Sequence, residues 1–191
     1  MDSRGANHGT LRDGVTYTTG LVDTAFQFDG IDDYIDIPSA ATLQPRQALT
    51  IEGWVYAQGT PASQAGIAGT WDDLNGNQRT YLFWVYGGNL ELLISADGGA
   101  YPRATNPAQF PINEWVHAAN NHPLMIGRTD SGSNGPDYWK GAIDELSLYD
   151  RALSEAEIAA IYQAGAGGKC SGSGALVLTP STFSISTTGS V

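Results

Sequence analysis

The residue types that are rare in this sequence exclude several classes of functional site. Cys170 is the single cysteine in 191 residues, so no internal disulfide can form and neither a disulfide scaffold nor a cysteine-based zinc site is available. The three histidines, His8, His117 and His122, have no serine-containing nucleophile motif or cysteine partner at a recognisable spacing. Nucleophilic catalysis is therefore not expected.

Positive charge is also scarce. Lys140 and Lys169 are the only lysines, and 9 basic residues face 20 acidic ones, which gives a formal net charge of -11. Nucleic acids and anionic membrane surfaces are bound through clustered Lys and Arg, so we expect neither as a partner. A cation or a neutral sugar fits this charge better, and extracellular solubility alone would also account for it.

Long apolar runs are missing as well. Met1 is followed by Asp2 and Ser3, and no stretch has the length of a membrane-spanning helix. We therefore expect no membrane insertion, and we expect the export signal of a secreted parent protein to lie outside this sequence.

What the chain does contain is the pattern of an all-β protein. It has 24 glycines and 10% aromatic residues, and short runs of β-branched and aromatic residues are separated by turn residues at intervals of about ten positions. This pattern predicts an antiparallel two-sheet sandwich or jelly roll. Strands are expected near Ala25, Tyr34, Leu49, Tyr81, Asn89, Glu114, Leu124 and Ala142.

For two of these strands the sequence pattern predicts which faces are buried. Period-two alternation after Leu49 directs Ile51 and Val55 to the core and Glu52 to the opposite face. The run at 81–86 is apolar on both faces, which is typical of a central strand covered on each side or of one whose outer face forms a concave aromatic floor.

One short helix is predicted near the C-terminus. Ser154 has the position of an N-cap, and Glu157 completes a capping box with it. The helix is expected to run from Glu155 to Gln163, with Gly165 at its C-terminal end. We interpret it as a structural element that docks on the sandwich.

The composition divides the chain into three parts. Residues 1–165 are expected to form the jelly-roll domain, residues 166–174 (AGGKCSGSG) a flexible linker, and residues 175–191 the start of a truncated following β domain. This predicts flanking domains in a longer chain.

Five segments, in this order, carry a resemblance to a known family. FDGIDDYIDIP at 28–38, LTIEGWVYA at 49–57, NEWVHAA at 113–119, LMIGR at 124–128 and the stretch from YWKGAIDEL to IYQAG at 138–165 resemble the bacterial laminin-G-like, concanavalin A-like jelly-roll domains. The resemblance spans about 7–165. It implies a two-sheet sandwich, an extracellular or cell-surface location and embedding in a secreted multidomain protein.

The resemblance is interrupted at Ala119. The family pattern continues there into a further strand and hairpin, whereas this chain passes through only four residues, 120–123, before Leu124. The domain is therefore expected to be shortened near 119–120, and the gap in the sheet is expected to close by pairing of 114–119 with 124–128. The alternative is a compromised domain or one that needs a partner strand at this edge.

The acidic turn is the first candidate site. Asp29, Asp32 and Asp33 surround Gly30, and their oxygens suit calcium, which takes six to eight oxygen ligands in irregular geometry. Related domains commonly hold a calcium ion at a rim site, so the resemblance implies a structural calcium here. The alternative is that these carboxylates only cap turn amides.

Asp144 is the fourth candidate metal ligand. Pairing of the first and last strands of a jelly roll is expected to bring Asp144 or Glu145 towards the acidic turn. Asp144 also shares the parity of Leu146 and Leu148, which predicts a coreward carboxylate that needs a cation or several backbone amides.

The second candidate site is a loop-borne glycan site. Sugars bind to flat aromatic rings with amides or carboxylates beside them, and the candidate residues are Trp71, Asp72, Asn77, Arg79, Tyr101 and Trp139. For Trp139, which directly precedes a strand, covering the edge of the core is the alternative.

We therefore expect a non-catalytic recognition or adhesion module that binds carbohydrate. A structural spacer without a ligand is the first alternative, and a glycoside hydrolase of the same fold is the second. The E-x-D-x-E strand of the related glucanases is absent, and the adjacent Asp144 and Glu145 point to opposite faces of a strand. An enzyme is not expected.

Overall fold

A computed structural model of the protein describes residues 7–43, 49–61, 63–72, 78–95, 99–120, 126–129, 137–149 and 151–169. The strands are β1 (Thr10–Arg12), β2 (Thr16–Thr19), β3 (Thr24–Asp29), β4 (Tyr34–Asp36), β5 (Thr50–Ala57), β6 (Gln64–Asp72), β7 (Gln78–Tyr86), β8 (Asn89–Ile94), β9 (Arg103–Gln109), β10 (Trp115–Asn120), β11 (Arg128–Thr129), β12 (Asp137–Tyr138) and β13 (Lys140–Tyr149). Within these ranges the single α-helix is α1 (Glu155–Ala164), and short 3-10 turns lie at Ala41–Leu43 and Gly165–Gly167. No helix in these ranges is long and apolar enough to cross a membrane.

Two antiparallel sheets face each other. The five-stranded sheet has the order β10-β5-β13-β3-β2, and the four-stranded sheet is the meander β6-β7-β8-β9. Strand β13 pairs with β3, with Lys140 opposite Asp29, so the expected pairing of the strand near Ala25 with the last strand is confirmed, although two short strands, β1 and β2, precede β3. The all-β jelly-roll sandwich with one short helix is likewise confirmed.

The main core lies between the two sheets. Ile51 and Val55 of the five-stranded sheet and Phe83 and Val85 of the four-stranded sheet are fully buried in one cluster. The alternation predicted after Leu49 is therefore confirmed.

The helix forms as its local signals predict. The Ser154 hydroxyl accepts a hydrogen bond from the Glu157 amide at 3.3 Å, and the Ser154 amide donates to the Glu157 carboxylate at 2.9 Å, which completes the capping box. Tyr162 stacks on Trp54 with ring centroids 5.5 Å apart. The helix therefore packs on the outer face of the five-stranded sheet.

A bulge in β13 changes which face its side chains occupy. The pairing with β5 shifts between Asp144 and Ser147, and Glu145 has a φ of 50°. Ile143 before the bulge is in the core, and Leu148 after it packs against the same core, although five positions separate them. Because of the extra residue, Asp144 does not share the face of Leu148, and that expectation is wrong.

Around the interruption at Ala119, the sheet does not close as expected. Among the described residues, β10 pairs with β5 alone and forms an edge of its sheet. Ile126 instead bridges Ile35 and Ala68. The expected pairing of 114–119 with 124–128 is therefore wrong, because 126–129 lies beside the four-stranded sheet next to β6.

Candidate functional site

The acidic turn gathers three of the predicted metal ligands. One carboxylate oxygen from each of Asp29, Asp32 and Asp33 lies within 4.8 Å of the others. Two oxygens also support the turn, since Asp33 Oδ2 accepts from the Asp29 amide at 2.9 Å and Asp29 Oδ1 accepts from the Ile31 amide at 2.7 Å. Amide capping, the alternative considered from the sequence, therefore occurs alongside the clustering.

The environment of the Asp33 side chain is not explained by turn capping alone. Its side chain is only 4% exposed, and within the described residues Oδ1 has no hydrogen-bond partner. Burial raises the pKa of Asp33, and the neighbouring carboxylates of Asp29, Asp32 and Asp13 raise it further, against the lowering effect of the Asp29 amide. A buried carboxylate with one unused oxygen and acidic neighbours is stabilised by a cation.

A cavity of about 500 Å³ opens beside this carboxylate. Asp13, Gln27, Gln58 and Lys140 line it together with Asp33. Asp13 was not among the predicted ligands, because it belongs to the turn between β1 and β2, which only the folded chain brings to the cavity. Its own sequence signal was the Asp-Gly pair of a tight turn.

Asp144 is not part of this cluster. It lies opposite Trp54, four positions along β13 from Lys140, which is the residue opposite Asp29. Asp144 Oδ2 accepts from the Val22 amide at 2.7 Å, and burial raises the pKa of Asp144 while backbone hydrogen bonds lower it. Its placement at the acidic turn was therefore wrong, and backbone amides satisfy its carboxylate instead.

Three of the predicted glycan-binding residues come together at one end of the four-stranded sheet. The rings of Trp71 and Tyr101 meet edge to face, with centroids 5.2 Å apart. The Arg79 guanidinium carbon lies 5.6 Å from the Trp71 ring centroid and 5.1 Å from that of Tyr101. Both are cation-π distances, so the three side chains hold one another in place.

Within this cluster only one ring is open to a ligand. Tyr101 is 39% exposed, whereas Trp71 is buried with Leu82, Trp84 and Leu93 in a second apolar cluster. Trp71 therefore supports the Tyr101 ring from below. A substitution of Trp71 would remove packing as well as any effect on a ligand.

The other three predicted contacts do not join this cluster in the described structure. Trp139 is fully buried in the main core and meets Phe110 edge to face at 5.9 Å, so it was wrongly assigned to a glycan site. The backbone of Asp72 pairs with Gln78 at the end of β6, but its side chain lies outside the described residues. Asn77 lies outside them entirely.

A buried polar network was missed by sequence reasoning. Glu52, on the outer face of the five-stranded sheet, is fully buried. Its carboxylate lies 3.0 Å from His117 Nε2 and 2.7 Å from Lys169 Nζ, and it accepts from the Tyr149 hydroxyl at 3.3 Å. A glutamate in a mostly apolar strand was the available signal, but its partners are at least 65 residues away in sequence.

Comparisons with known proteins agree with this architecture. Residues 29–122 and 118–159 match the family profile of the concanavalin A-like lectin/glucanases superfamily. The two matched segments meet at 118–122, where the sequence departs from the family pattern. None of the curated protein sequences matches the chain significantly.

Similar folds occur in solved structures at low sequence identity. The binding domain of Paraclostridial Mosquitocidal Protein 1 is 13% identical with a TM-score of 0.58, over 80% of this chain and 46% of that one. The botulinum neurotoxin serotype D ligand-binding domain, solved in complex with N-acetylneuraminic acid, is 12% identical with a TM-score of 0.55, over 82% and 46%. This chain therefore spans about half the length of these toxin domains.

A third similar structure is covered more completely. Domain 4 of AbnA, an extracellular arabinanase of family GH43 from Geobacillus stearothermophilus, was solved with arabinotriose and is 16% identical with a TM-score of 0.56, over 78% of this chain and 85% of that one. At such identities the likeness shows the fold alone. Together with the profile match over more than half of the sequence, it shows that the chain belongs to the concanavalin A-like lectin/glucanases superfamily.

Proposed function

We propose that this domain is a non-catalytic carbohydrate-binding module of an extracellular or cell-surface protein. The observation that carries the proposal is the exposed ring of Tyr101, backed by the edge of Trp71 and held by Arg79. Sugar C–H faces pack on such rings, and a ring that is already held in place loses little conformational entropy on binding.

The net charge of the chain and the ligands of two similar structures both favour a sugar as the ligand. The formal net charge of -11 disfavours polyanions, which need a positively charged surface. Two of the similar structures were solved with arabinotriose and with N-acetylneuraminic acid. Those ligands support a sugar as the class of ligand but do not identify which one, because the fold hosts many functions.

The carboxylates of β13 favour a binding module over a hydrolase. A retaining glycosidase needs two carboxyl groups about 5 to 5.5 Å apart across a cleft. Asp144 accepts from the Val22 amide, and Glu145 accepts from the Lys169 amide. Both therefore hold backbone segments in place.

A glycan array in the presence of calcium tests the proposal. We expect binding by the native chain, and we expect Tyr101→Ala to weaken it by about 2 kcal/mol, roughly thirtyfold in Kd. Tyr17→Ala is the matched control, because Tyr17 is 63% exposed but lies on edge strand β2 of the other sheet.

Each alternative function has its own outcome in this experiment. Folded protein that binds no glycan would indicate a structural spacer. Turnover of a bound polysaccharide, lost when one carboxylate is replaced, would indicate a hydrolase. Equal losses for Tyr101→Ala and Tyr17→Ala would contradict the assignment of Tyr101.

We also propose a structural calcium ion at the acidic turn. Asp29, Asp32 and Asp33 would supply carboxylate oxygens, and the unused Oδ1 of buried Asp33 supports this. Calcium would supply positive charge that offsets the repulsion among these carboxylates.

A further inference from the structure

The four-stranded sheet has a second face that continues beyond the Tyr101 cluster. Along β7, Phe83 and Val85 enter the main core, so Trp84 and Tyr86 project from the opposite, outer face. Trp84 belongs to the same apolar cluster as Trp71. The outer face therefore carries one row of large side chains from the Tyr101 end of β7 to Tyr86.

Tyr86 is a second exposed ring on this face. It is 41% exposed and stacks on the buried Trp84 ring, with centroids 4.9 Å apart and an angle of 26°. This repeats the arrangement at the other end, where an exposed tyrosine lies against a buried tryptophan.

Amides surround Tyr86. The strand register places Gln64, Tyr86, Asn89 and Gln109 opposite one another across all four strands. Gln109 Nε2 donates to Asn89 Oδ1 at 3.3 Å, and Asn89 Nδ2 donates to the Asn106 carbonyl at 3.0 Å. The hydrogen bonds hold neutral amides beside an exposed ring, which is the chemistry that recognises sugar hydroxyls.

Between the two tyrosines Leu82, Trp84 and Leu93 are buried, so the side chains open to a ligand are those of β9, where Arg103 and Thr105 are exposed, and the described charges are balanced. Glu91 Oε2 lies 3.8 Å from Arg103 Nη1, and Glu91 Oε1 accepts from the Thr105 hydroxyl at 3.0 Å. A neutral polyhydroxyl chain therefore fits this stretch better than a polyanion.

The distance between the two ends sets the size of the ligand. Seven positions separate Arg79, at the Tyr101 end, from Tyr86 on β7, which is about 23 Å along a strand. We infer that the outer face of the four-stranded sheet carries one extended binding strip along its β9 side, which takes an internal stretch of a neutral oligosaccharide, with Tyr101 and Tyr86 as its two end contacts. This inference rests on the proposed sugar-binding function.

Fragment length tests the inference. The native chain is first screened by affinity electrophoresis against arabinan, xylan, galactan and mixed-linkage glucan, and short and long oligosaccharides of each retarding polymer are then titrated by calorimetry. We expect Tyr86→Ala to weaken the long fragments roughly tenfold and to leave the shortest bound fragment unchanged. Tyr101→Ala should weaken all lengths, and Tyr17→Ala none.

Further variants separate loss of the ring from loss of folding. Tyr86→Phe keeps the stacking on Trp84 and should retain long-fragment binding, and the melting temperature of each variant reports its folding. Equal affinity of native protein and Tyr86→Ala for every length would overturn the strip, even if Tyr101→Ala abolishes binding. Retention by charged polysaccharides alone would overturn the strip but not sugar binding, and no retention by any polysaccharide would overturn both.

Discussion

Lys169 provides the most demanding test of how this domain is held together. It lies within the segment 166–174 that the composition predicts to be a flexible linker, yet its ammonium group lies 2.7 Å from the fully buried Glu52 carboxylate. The same group donates to the Ser147 hydroxyl at 2.6 Å and to the Glu145 carbonyl. We predict that Lys169→Met destabilises the domain and that the loss disappears in the Glu52→Gln background.

The magnitude follows from the burial of the pair. Removing one partner of a buried ion pair costs about 3–5 kcal/mol. His117 and Tyr149 still contact Glu52, and Lys169 is 16% exposed, so we expect a loss of about 2–3 kcal/mol.

Two assays measure this effect independently. Urea unfolding followed by tryptophan fluorescence gives the free energies of a double-mutant cycle between positions 52 and 169. The rate of cleavage by a lysine-specific protease measures local opening at Lys169, because Lys140 and Lys169 are the only lysines. Lys140 lies in β13 and is the internal control.

The expected increase in the rate of cleavage at Lys169 follows from the change in closing free energy. Cleavage follows the population of the open form when reclosing is fast, so a loss of about 1.4 kcal/mol in closing free energy raises the rate roughly tenfold. Glu52→Gln should accelerate cleavage at Lys169 and leave Lys140 protected. Equal costs of Lys169→Met in both backgrounds, or cleavage of the native chain at Lys169 as fast as in an unfolded peptide, would refute the reasoning.

Two further predictions concern the acidic turn and the helix cap. Saturating calcium should raise the melting temperature by roughly 5–10 °C over that in chelator; a calcium-independent melting temperature would contradict the site. The pKa of Asp33 is raised in the folded state, so its charge opposes folding above that pKa. Asp33→Asn should therefore stabilise the protein in chelator and abolish the calcium shift. Ser154→Ala should lower the free energy of unfolding by about 1 kcal/mol in urea titrations. The pKa of Glu157 is lowered to about 2, chiefly by a hydrogen bond from Arg151. The stabilisation from the cap should therefore be complete above pH 4.5 and be lost as the pH falls towards 2. A contribution of the cap to stability that is unchanged at pH 2 would contradict this.

Local signals predicted the parts of the fold that depend on neighbouring residues. The capping box of Ser154 and Glu157 and the core alternation of Ile51 and Val55 both appear as expected, because capping and strand alternation act over a few positions. Asp29, Asp32 and Asp33 were also grouped correctly, since a single turn contains all three.

Predictions that depended on which face of a sheet a side chain occupies, or on a partner far away in the sequence, were less successful. One extra residue at Glu145 inverts the alternation of β13, and a period-two pattern cannot reveal such a bulge in advance. Turn residues flank both Trp139 and Trp71 in the sequence. Trp139 nevertheless belongs to the main core and Trp71 to the outer cluster. Burial depends on which sheet packs over a ring, which adjacent residues do not specify.

By itself the sequence determined the all-β class, the capped helix and the acidic turn, because composition and short spacings suffice for each. Only the tertiary structure decided that Asp144 lies away from the acidic turn, that Tyr101 rather than Trp71 is open to a ligand, and that Lys169 neutralises Glu52. These three depend on strand register and on contacts between residues far apart in sequence. Such contacts are selected by the packing of the whole sandwich and leave no local pattern.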